Sequence, residues 1–224
     1  MPGIRSGRSI PVVMSSYLPL FPLNLVAFPT EKVNLHIFEP RYRQLINECL
    51  EERKTFGIPS FIGDRVQKVG TEMRVKALNR RYDDGRMDVE TEGVRVFRLL
   101  QFQKLAPGKL YPGGEIEYAD EDETYSDDVR NELMVQVKRL YTLLKMPIEV
   151  DLRRTNCISY ELAHKLGLSV EQEYELLTIR SEGERQTFLL RHLERAIPVV
   201  AEMERTKERI KLNGHFKHFD PLTF

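Results

Sequence analysis

Residues 18–50, LPLFPLNLVAFPTEKVNLHIFEPRYRQLINECL, decide the fold and predict two extended segments followed by one short helix. Residues 18–23 alternate large apolar side chains with prolines, which strands tolerate only at an edge, at the first position or at a bulge. Residues 33–38 are rich in β-branched, apolar and aromatic types, which favours a second strand. Pro40 suits the first position of a helix, where its missing N–H would be unpaired anyway. The next apolar residues recur at the spacing of one buried helical face: Tyr42, Leu45, Ile46, Cys49 and Leu50.

The bulk composition is typical of a soluble globular protein. Of 224 residues, 41% are hydrophobic and 30% are charged, and the formal net charge is zero. A neutral chain has no overall attraction to nucleic acid or to an anionic membrane. Pro11, Ser15 and Ser16 break the N-terminal apolar run, and no stretch approaches the ~20 apolar residues of a membrane span. We therefore expect a cytoplasmic protein without a signal peptide, in which Cys49 and Cys157 are free thiols.

The next part of the chain predicts a curled β-sheet. Its predicted strands are residues 56–62, 69–77, 94–102 and 115–118, and Met87, Val89 and Thr91 continue the alternation before the third of these. Alternation in the second of these strands places five side chains on one face: Val69, Thr71, Met73, Val75 and Ala77. Asp83-Asp84-Gly85 predicts a hairpin turn, because Asp-Gly readily supplies the positive φ that such a turn needs. Gly93 interrupts the alternation and predicts a bend or bulge of the kind that curls a sheet into a barrel.

An acidic segment at 119–128 separates the β-rich part from a helical part. It has no apolar spacing, so we predict the domain boundary there. The predicted regions are an N-terminal tail at 1–16, a PUA-like β-rich domain at 17–118 and a helical domain at 119–224.

The helical part carries start signals, apolar faces and one stop signal. Capping-box patterns at Ser169/Gln172 and Ser181/Glu184 predict two helix starts. Apolar spacing predicts two buried faces, one of Val129, Leu133, Val137, Leu140 and Leu144, and one of Phe188, Leu189, Leu193, Ile197 and Val200. Residues 160–168 predict a short helix between them. In the last helix Pro198 predicts a kink or a restart, and Asn213-Gly214 predicts the end.

The sequence lacks the motifs of common catalytic and nucleotide-binding sites. It contains no P-loop, G-x-S-x-G, H-E-x-x-H, C-x-x-C or dinucleotide-binding fingerprint. His215, His218 and Asp220 have a spacing that could hold zinc, but a fourth ligand is lacking nearby. We therefore predict a protein without catalytic residues, metal or cofactor.

Three groups of residues in the opening segment carry a family resemblance: Phe21-Pro22-Leu23, Phe28-Pro29 and residues 36–43, HIFEPRYR. They resemble the opening of the substrate-binding (N-terminal) domain of Lon-type ATP-dependent proteases, above all its stand-alone members, and similar domains occur in cereblon. Residues 69–71, 84–86, 93–98 and 166–194 resemble the family's later strands and helical half. The resemblance implies an α+β fold, a PUA-like six-stranded β pseudo-barrel followed by a C-terminal α-helical bundle. It also implies a domain that recognises substrate proteins and contributes to oligomer assembly.

The function that we expect from this resemblance is non-catalytic protein or peptide binding, as an adaptor in protein quality control. The chain has neither a Walker A motif nor a segment like the Ser–Lys protease domain, so protease activity does not carry over. The expected partners are unfolded or client protein segments, together with an ATP-dependent protease acting in trans. The alternative is a PUA-like protein that binds RNA, since Arg74 and Lys76 fall together on the outer face of a strand. Nearby glutamates offset the positive charge of that strip, and the strand lacks the aromatic residues on which an RNA-binding sheet stacks bases.

Seven residues form the candidate peptide-groove or domain-junction site: Phe28, His36, Phe38, Glu39, Arg41, Tyr42 and Phe61. Two interpretations stay open for them. In the first, aromatic side chains line an apolar groove between barrel and bundle that holds client segments. In the second, the residues are structural. His36 is then a core histidine bonded to a backbone carbonyl, and Glu39 and Arg41 cap the helix and form an ion pair.

Overall fold

The computed structural model describes residues 15–118, 120–148 and 157–215, with side chains as far as residue 211. Contacts divide the chain into two compact units, Met1–Ala119 and Asp120–Phe224. The first unit contains β1 Ser16–Pro19, β2 Lys32–Ile37, α1 Pro40–Glu52, β3 Phe56–Ile62, β4 Arg65–Arg81, β5 Met87–Gln103 and β6 Gly113–Tyr118. The second contains α2 Asp127–Leu144, α3 Ile158–Leu162, a 3-10 turn Ala163–Lys165, α4 Val170–Thr178 and α5 Glu182–His215.

The strands of the first unit form one curled antiparallel sheet. Among the described residues it has six strands, in the order β1-β6-β5-β4-β3, with β2 paired to the first half of β5. The predicted strand at 18–23 is only partly formed, because β1 ends at Pro19. Beyond it, two parallel bridges, Leu20 to Gly57 and Leu23 to Ser60, join the chain to β3 and bring the two ends of the sheet together. This sheet followed by helices confirms the predicted α+β fold class.

β4 and β5 form a hairpin that is longer than the sequence indicates. Each strand has 17 residues, and the predicted turn at Asp83-Asp84-Gly85 joins them. β5 passes through Gly93 without a break, and the register of β4 on β5 shifts there, as in the predicted bulge. A Cβ atom at Gly93 would overlap the carbonyl oxygen of Phe28, so only glycine allows the two backbones to approach this closely.

The bulges change which side chains of β4 face inward. Thr71 and Met73 are fully buried, as the alternation predicts. The prediction that Ala77 shares their face is wrong, because Ala77 is exposed. A second register shift between Val75 and Ala77 adds one residue to β4, and every later residue of β4 is exposed, so the alternation does not continue.

α1 forms as predicted and covers the core of the first unit. It begins at Pro40 and buries Tyr42, Leu45, Ile46 and Cys49. The ring of Tyr42 stacks on Phe21 with centroids 3.7 Å apart. Cys49, like Cys157 in the second unit, is buried and forms no disulfide, which confirms that prediction.

The second unit is built on α2 and α5, whose predicted apolar faces pack together. Their buried residues are Leu133, Val137 and Leu140 of α2 and Leu189, Leu193 and Ile197 of α5. Leu144, predicted to be buried, is exposed, since α2 ends there and Lys145 takes a left-handed conformation. The capping box of Ser169 and Gln172 is present at the start of α4, as predicted.

α5 is one continuous helix from Glu182 to His215, which passes the predicted end at Asn213-Gly214 by one residue. Pro198 lies inside it at an exposed position, where water can reach the carbonyl that loses its partner. Ion pairs of Glu202 with Arg205 and of Glu204 with Lys207, three residues apart, support the last turns.

Two predictions fall outside what the structure describes. They are residues 1–14 of the N-terminal tail and the possible zinc ligands His215, His218 and Asp220. Elsewhere, among the described side chains, no three His, Cys, Asp or Glu residues group as metal ligands would. None of the helices in the described ranges combines the length and the apolar character that crossing a membrane requires.

Candidate functional site

A group of aromatic and charged side chains lies where β2, β4 and β5 meet beside the hairpin turn. Ile37 and Arg81 both pair with Met87, so the ends of β2 and β4 flank the start of β5. We name this group the hairpin surface. It consists of His36, Phe38, Arg80, Tyr82, Arg86 and Asp88.

The turn that supports the hairpin surface is held by backbone hydrogen bonds between its own residues. The N–H of Tyr82 donates to the carbonyl of Arg86, and the N–H of Gly85 donates to the carbonyl of Tyr82, each at 2.9 Å. Gly85 has a φ of 84°, which glycine adopts without strain. Arg43 of α1 donates through Nη1 to the carbonyl of Asp84 at 2.6 Å. The helix and the turn are therefore fastened to each other.

The carboxylate of Asp88 organises the polar side of the hairpin surface. His36 Nδ1 lies 2.6 Å from one of its oxygens, and the Tyr82 hydroxyl donates to the other at 2.8 Å. These two hydrogen bonds hold the pKa of Asp88 below its ordinary value, and the same bond from Tyr82 raises the pKa of Tyr82. Asp88 therefore stays ionised near neutral pH and holds both rings in place.

The aromatic side of the hairpin surface is open to solvent and bordered by arginines. Phe38 is 61% exposed and stacks on His36 with ring centroids 6.2 Å apart. The guanidinium carbons of Arg80 and Arg86 lie 4.5 and 5.1 Å from the centre of the Tyr82 ring. An incoming apolar or aromatic side chain would therefore meet exposed rings. Arg86 Nε already pairs with the Asp84 carboxylate at 2.6 Å, so an incoming carboxylate would meet chiefly the guanidinium of Arg80.

The structure brings together only part of the predicted site. His36, Phe38, Glu39 and Arg41 lie at the junction of β2 and α1, next to the hairpin turn. The rings of Phe28 and Tyr42 are instead buried in the core. Phe61 pairs with Val66 at the far end of β4, so it does not share a surface with Phe38.

Two structural interpretations of the junction residues need correction. His36 is not a core histidine, because its side chain is 45% exposed and bonds the Asp88 carboxylate rather than a backbone carbonyl. Glu39 accepts a hydrogen bond from Arg41 at 2.8 Å, so the predicted ion pair is present. The predicted capping by Glu39 is wrong, since its side chain makes no capping bond. The preceding strand holds Glu39 in an extended conformation, and its carboxylate turns to Arg41.

Sequence reasoning missed Arg80, Tyr82, Arg86 and Asp88 as members of the site. The Asp83-Asp84-Gly85 signal predicted the turn that carries them, and it could have drawn attention to the residues on either side. What places them against His36 is the pairing of β2 with β5, which joins residues about fifty positions apart in the sequence.

A cavity in the first unit, away from the hairpin surface, has a structural explanation. It measures about 260 Å³ and is lined in part by Glu48, Cys49, Lys109 and Tyr111. Lys109 and Tyr111 donate to the Glu48 carboxylate at 2.9 and 2.5 Å. Burial would raise the pKa of Glu48, but these hydrogen bonds outweigh it and lower the pKa. The polar groups here bind one another and fasten α1 to the segment before β6.

Comparison with known proteins identifies the family. The model of the ATP-dependent protease La (LON) substrate-binding domain matches residues 17–195. A crystal structure of a Lon N-terminal domain protein from Xanthomonas campestris is 26% identical with a TM-score of 0.62, and the match covers 78% of this chain and 97% of that one. The N-terminal domain of Mycobacterium avium complex Lon protease is 16% identical with a TM-score of 0.58, over 80% of this chain and 98% of that one, and shows a shared fold. Because the family model spans both the curled sheet and most of the helical unit, the chain belongs to the LON substrate-binding domain family.

Proposed function

We propose that this chain binds segments of client proteins through the hairpin surface and carries out no chemistry on them. The observation that carries the proposal is Phe38, which is 61% exposed beside the ordered rings of His36 and Tyr82. An aromatic ring that a folded chain leaves in water gains about 1.5–3 kcal/mol when a partner covers it fully. Aromatic residues and arginines are also the types that dominate binding energy at protein interfaces.

The chemistry of the surface indicates which segments it binds. Exposed rings select apolar or aromatic side chains, which native proteins bury and unfolded segments expose. Arg80 favours acidic residues beside that apolar contact. In this proposal the clients are unfolded segments, and the chain acts in cytoplasmic protein quality control as an adaptor for an ATP-dependent protease in trans.

The ion pairs of the sheet support protein binding over the nucleic-acid alternative. Lys76 pairs with Glu92 at 3.0 Å, and Arg95 pairs with Glu72 at 2.7 Å. Arg98 lies 3.5 Å from a carboxylate oxygen of Glu117. Cations that already face carboxylates on adjacent strands offer little net charge to a phosphate backbone.

The test uses fluorescence anisotropy of the full chain with a panel of labelled, unstructured peptides that vary in aromatic and acidic content. Phe38→Ala is expected to weaken binding at least tenfold, because each 1.4 kcal/mol of lost burial is a factor of ten. Phe61→Ala is the matched control, because Phe61 is 38% exposed but lies in β3 beside the opposite end of β4. The peptide affinity of this variant should stay within about twofold of that of the unsubstituted chain. Equal effects of the two substitutions, or no binding by any peptide, would contradict the proposal.

A further inference from the structure

A groove with an apolar lining lies between α4 and α5 of the helical unit. Its volume is about 540 Å³, within the range of ligand and peptide sites. Phe188, Ala196, Val199 and Val200 form its apolar lining. It lies wholly within the second unit, among residues that the hairpin surface does not use.

The apolar lining belongs to a second stripe on α5, separate from the face that packs on α2. The α2-facing stripe is Leu189, Leu193 and Ile197, all fully or almost fully buried. The second stripe includes Val199, which is 59% exposed, and Met203 one turn further on, which is also exposed. A helix with apolar residues on two sides has more apolar surface than its own unit covers.

The rim of the groove has a basic character that selects the partner. Arg191 and Arg195 stand one turn apart on α5, and both are exposed. Within the described part of the chain, neither guanidinium has a hydrogen-bond or ion-pair partner. Glu175 of α4 is the acidic residue among those that line the groove, and it also borders a shallower hollow that contains Glu184. Arg191 lines both the groove and this hollow, whereas Arg195 lines only the groove, one turn from Val199 at its apolar end.

We infer that this groove is a docking site for an amphipathic helix of a partner protein, with acidic residues along the edge that meets Arg191 and Arg195. From Phe188 to Val200 the groove extends about 18 Å along α5, which matches about three turns of a docked helix. Apolar side chains at i, i+3, i+4 and i+7 of the partner would fill the space over Val199 and Ala196. The charge arrangement excludes a basic helix from the apolar end.

The experiment measures binding of a designed, labelled 16-residue helix to the full chain by anisotropy. The probe carries leucines at i, i+3, i+4 and i+7 with flanking glutamates, and a second probe replaces the glutamates by lysines. We expect the glutamate probe to bind at least tenfold more tightly than the lysine probe, with an affinity that falls as salt is added. Equal affinity of the two probes would overturn the inference.

Matched substitutions place the probe on the groove. Val199→Asp is expected to reduce affinity at least tenfold, whereas Val135→Asp, at a 55% exposed position of α2 outside the groove, should leave it unchanged. Joint Arg191→Ala and Arg195→Ala substitution should remove the preference for the glutamate probe. Phe38→Ala should have no effect, which separates this site from the hairpin surface. Sedimentation that shows a dimer abolished by Val199→Asp would assign the groove to a second copy of this chain and overturn the inference.

Discussion

Replacement of Arg185 by alanine should destabilise the helical unit more than any surface substitution. The Arg185 side chain is fully buried, and its Nη2 atom lies 3.1 Å from the equally buried carboxylate of Glu182. Its other nitrogens donate to Ser159 Oγ at 3.0 Å and to the carbonyl of Ile179 at 2.8 Å. Its guanidinium carbon lies 4.1 Å from the centre of the Tyr160 ring.

The expected magnitude follows from what the substitution leaves behind. Arg185→Ala removes the countercharge of Glu182, whose carboxylate keeps only the neutral donors Ser159 and Gln186 among its described contacts. Removing one partner of a buried ion pair typically costs about 3–5 kcal/mol, because the remaining charge stays in a poorly solvated site. We expect a loss of this size in the free energy of unfolding, measured by urea denaturation followed by far-ultraviolet circular dichroism.

Two comparisons make this prediction refutable. Arg195→Ala on the same helix, at an exposed position without a described partner, should change the free energy of unfolding by no more than about 0.5 kcal/mol. The double substitution Arg185→Met with Glu182→Gln removes both charges and should restore more than half of the loss. The reasoning is refuted if Arg185→Ala costs less than about 1 kcal/mol, or if the double variant is no more stable than the single one.

Further predictions concern the sheet, the thiols and the hairpin surface. Gly93→Ala should lower the melting temperature, at a cost of about 1–3 kcal/mol, because the new methyl group overlaps the Phe28 carbonyl oxygen. Burial raises the pKa of Cys49 to about 12 and that of Cys157 to about 11, so both thiols should resist a thiol reagent near neutral pH until denaturant is added. The pKa of an unfolded cysteine thiol is near 9.0, so the free energy of unfolding should fall as the pH rises from 9.0 through about 12. Urea denaturation at a series of pH values measures this. The pKa of Asp88 lies below its ordinary 3.8, so the stability that Asp88 contributes should be present above pH 3.8 and lost as the pH falls further. When the free energy of unfolding is measured against acid pH, the Asp88→Asn variant should lack this loss.

Each of these predictions has an outcome that would contradict it. Gly63→Ala is the control for Gly93→Ala, because Gly63 has a φ of 60° with no atom near a new Cβ and should cost about 1–2 kcal/mol of backbone strain alone. A smaller cost at Gly93 than at Gly63 would argue against the close approach at Phe28. Rapid labelling of either thiol in the native state would show that it is accessible. If the Asp88→Asn variant loses as much stability at acid pH as the unsubstituted chain, other carboxylates account for the acid dependence.

Some features of this protein follow from residues that are close together in the sequence. The buried face of α1, the turn at Asp83-Asp84-Gly85 and the capping box of Ser169 and Gln172 were all predicted and are present. Each depends on helical periodicity, on the φ preference of one glycine, or on hydrogen bonds within three or four residues. The family resemblance in residues 36–43 rests on the same local segment and is confirmed.

Other features depend on pairings across long stretches of chain, and only the tertiary structure decided them. The exposed position of Ala77 follows a register shift between β4 and β5, beyond which every residue of β4 is exposed. The burial of Arg185 depends on Ser159, which lies 26 residues away and supplies one of its hydrogen-bond acceptors. The hairpin surface exists because β2 pairs with β5 and sets His36 opposite Asp88. Periodicity shows which side chains share a face, whereas the neighbours they meet depend on strand register and helix packing, which are properties of the whole fold.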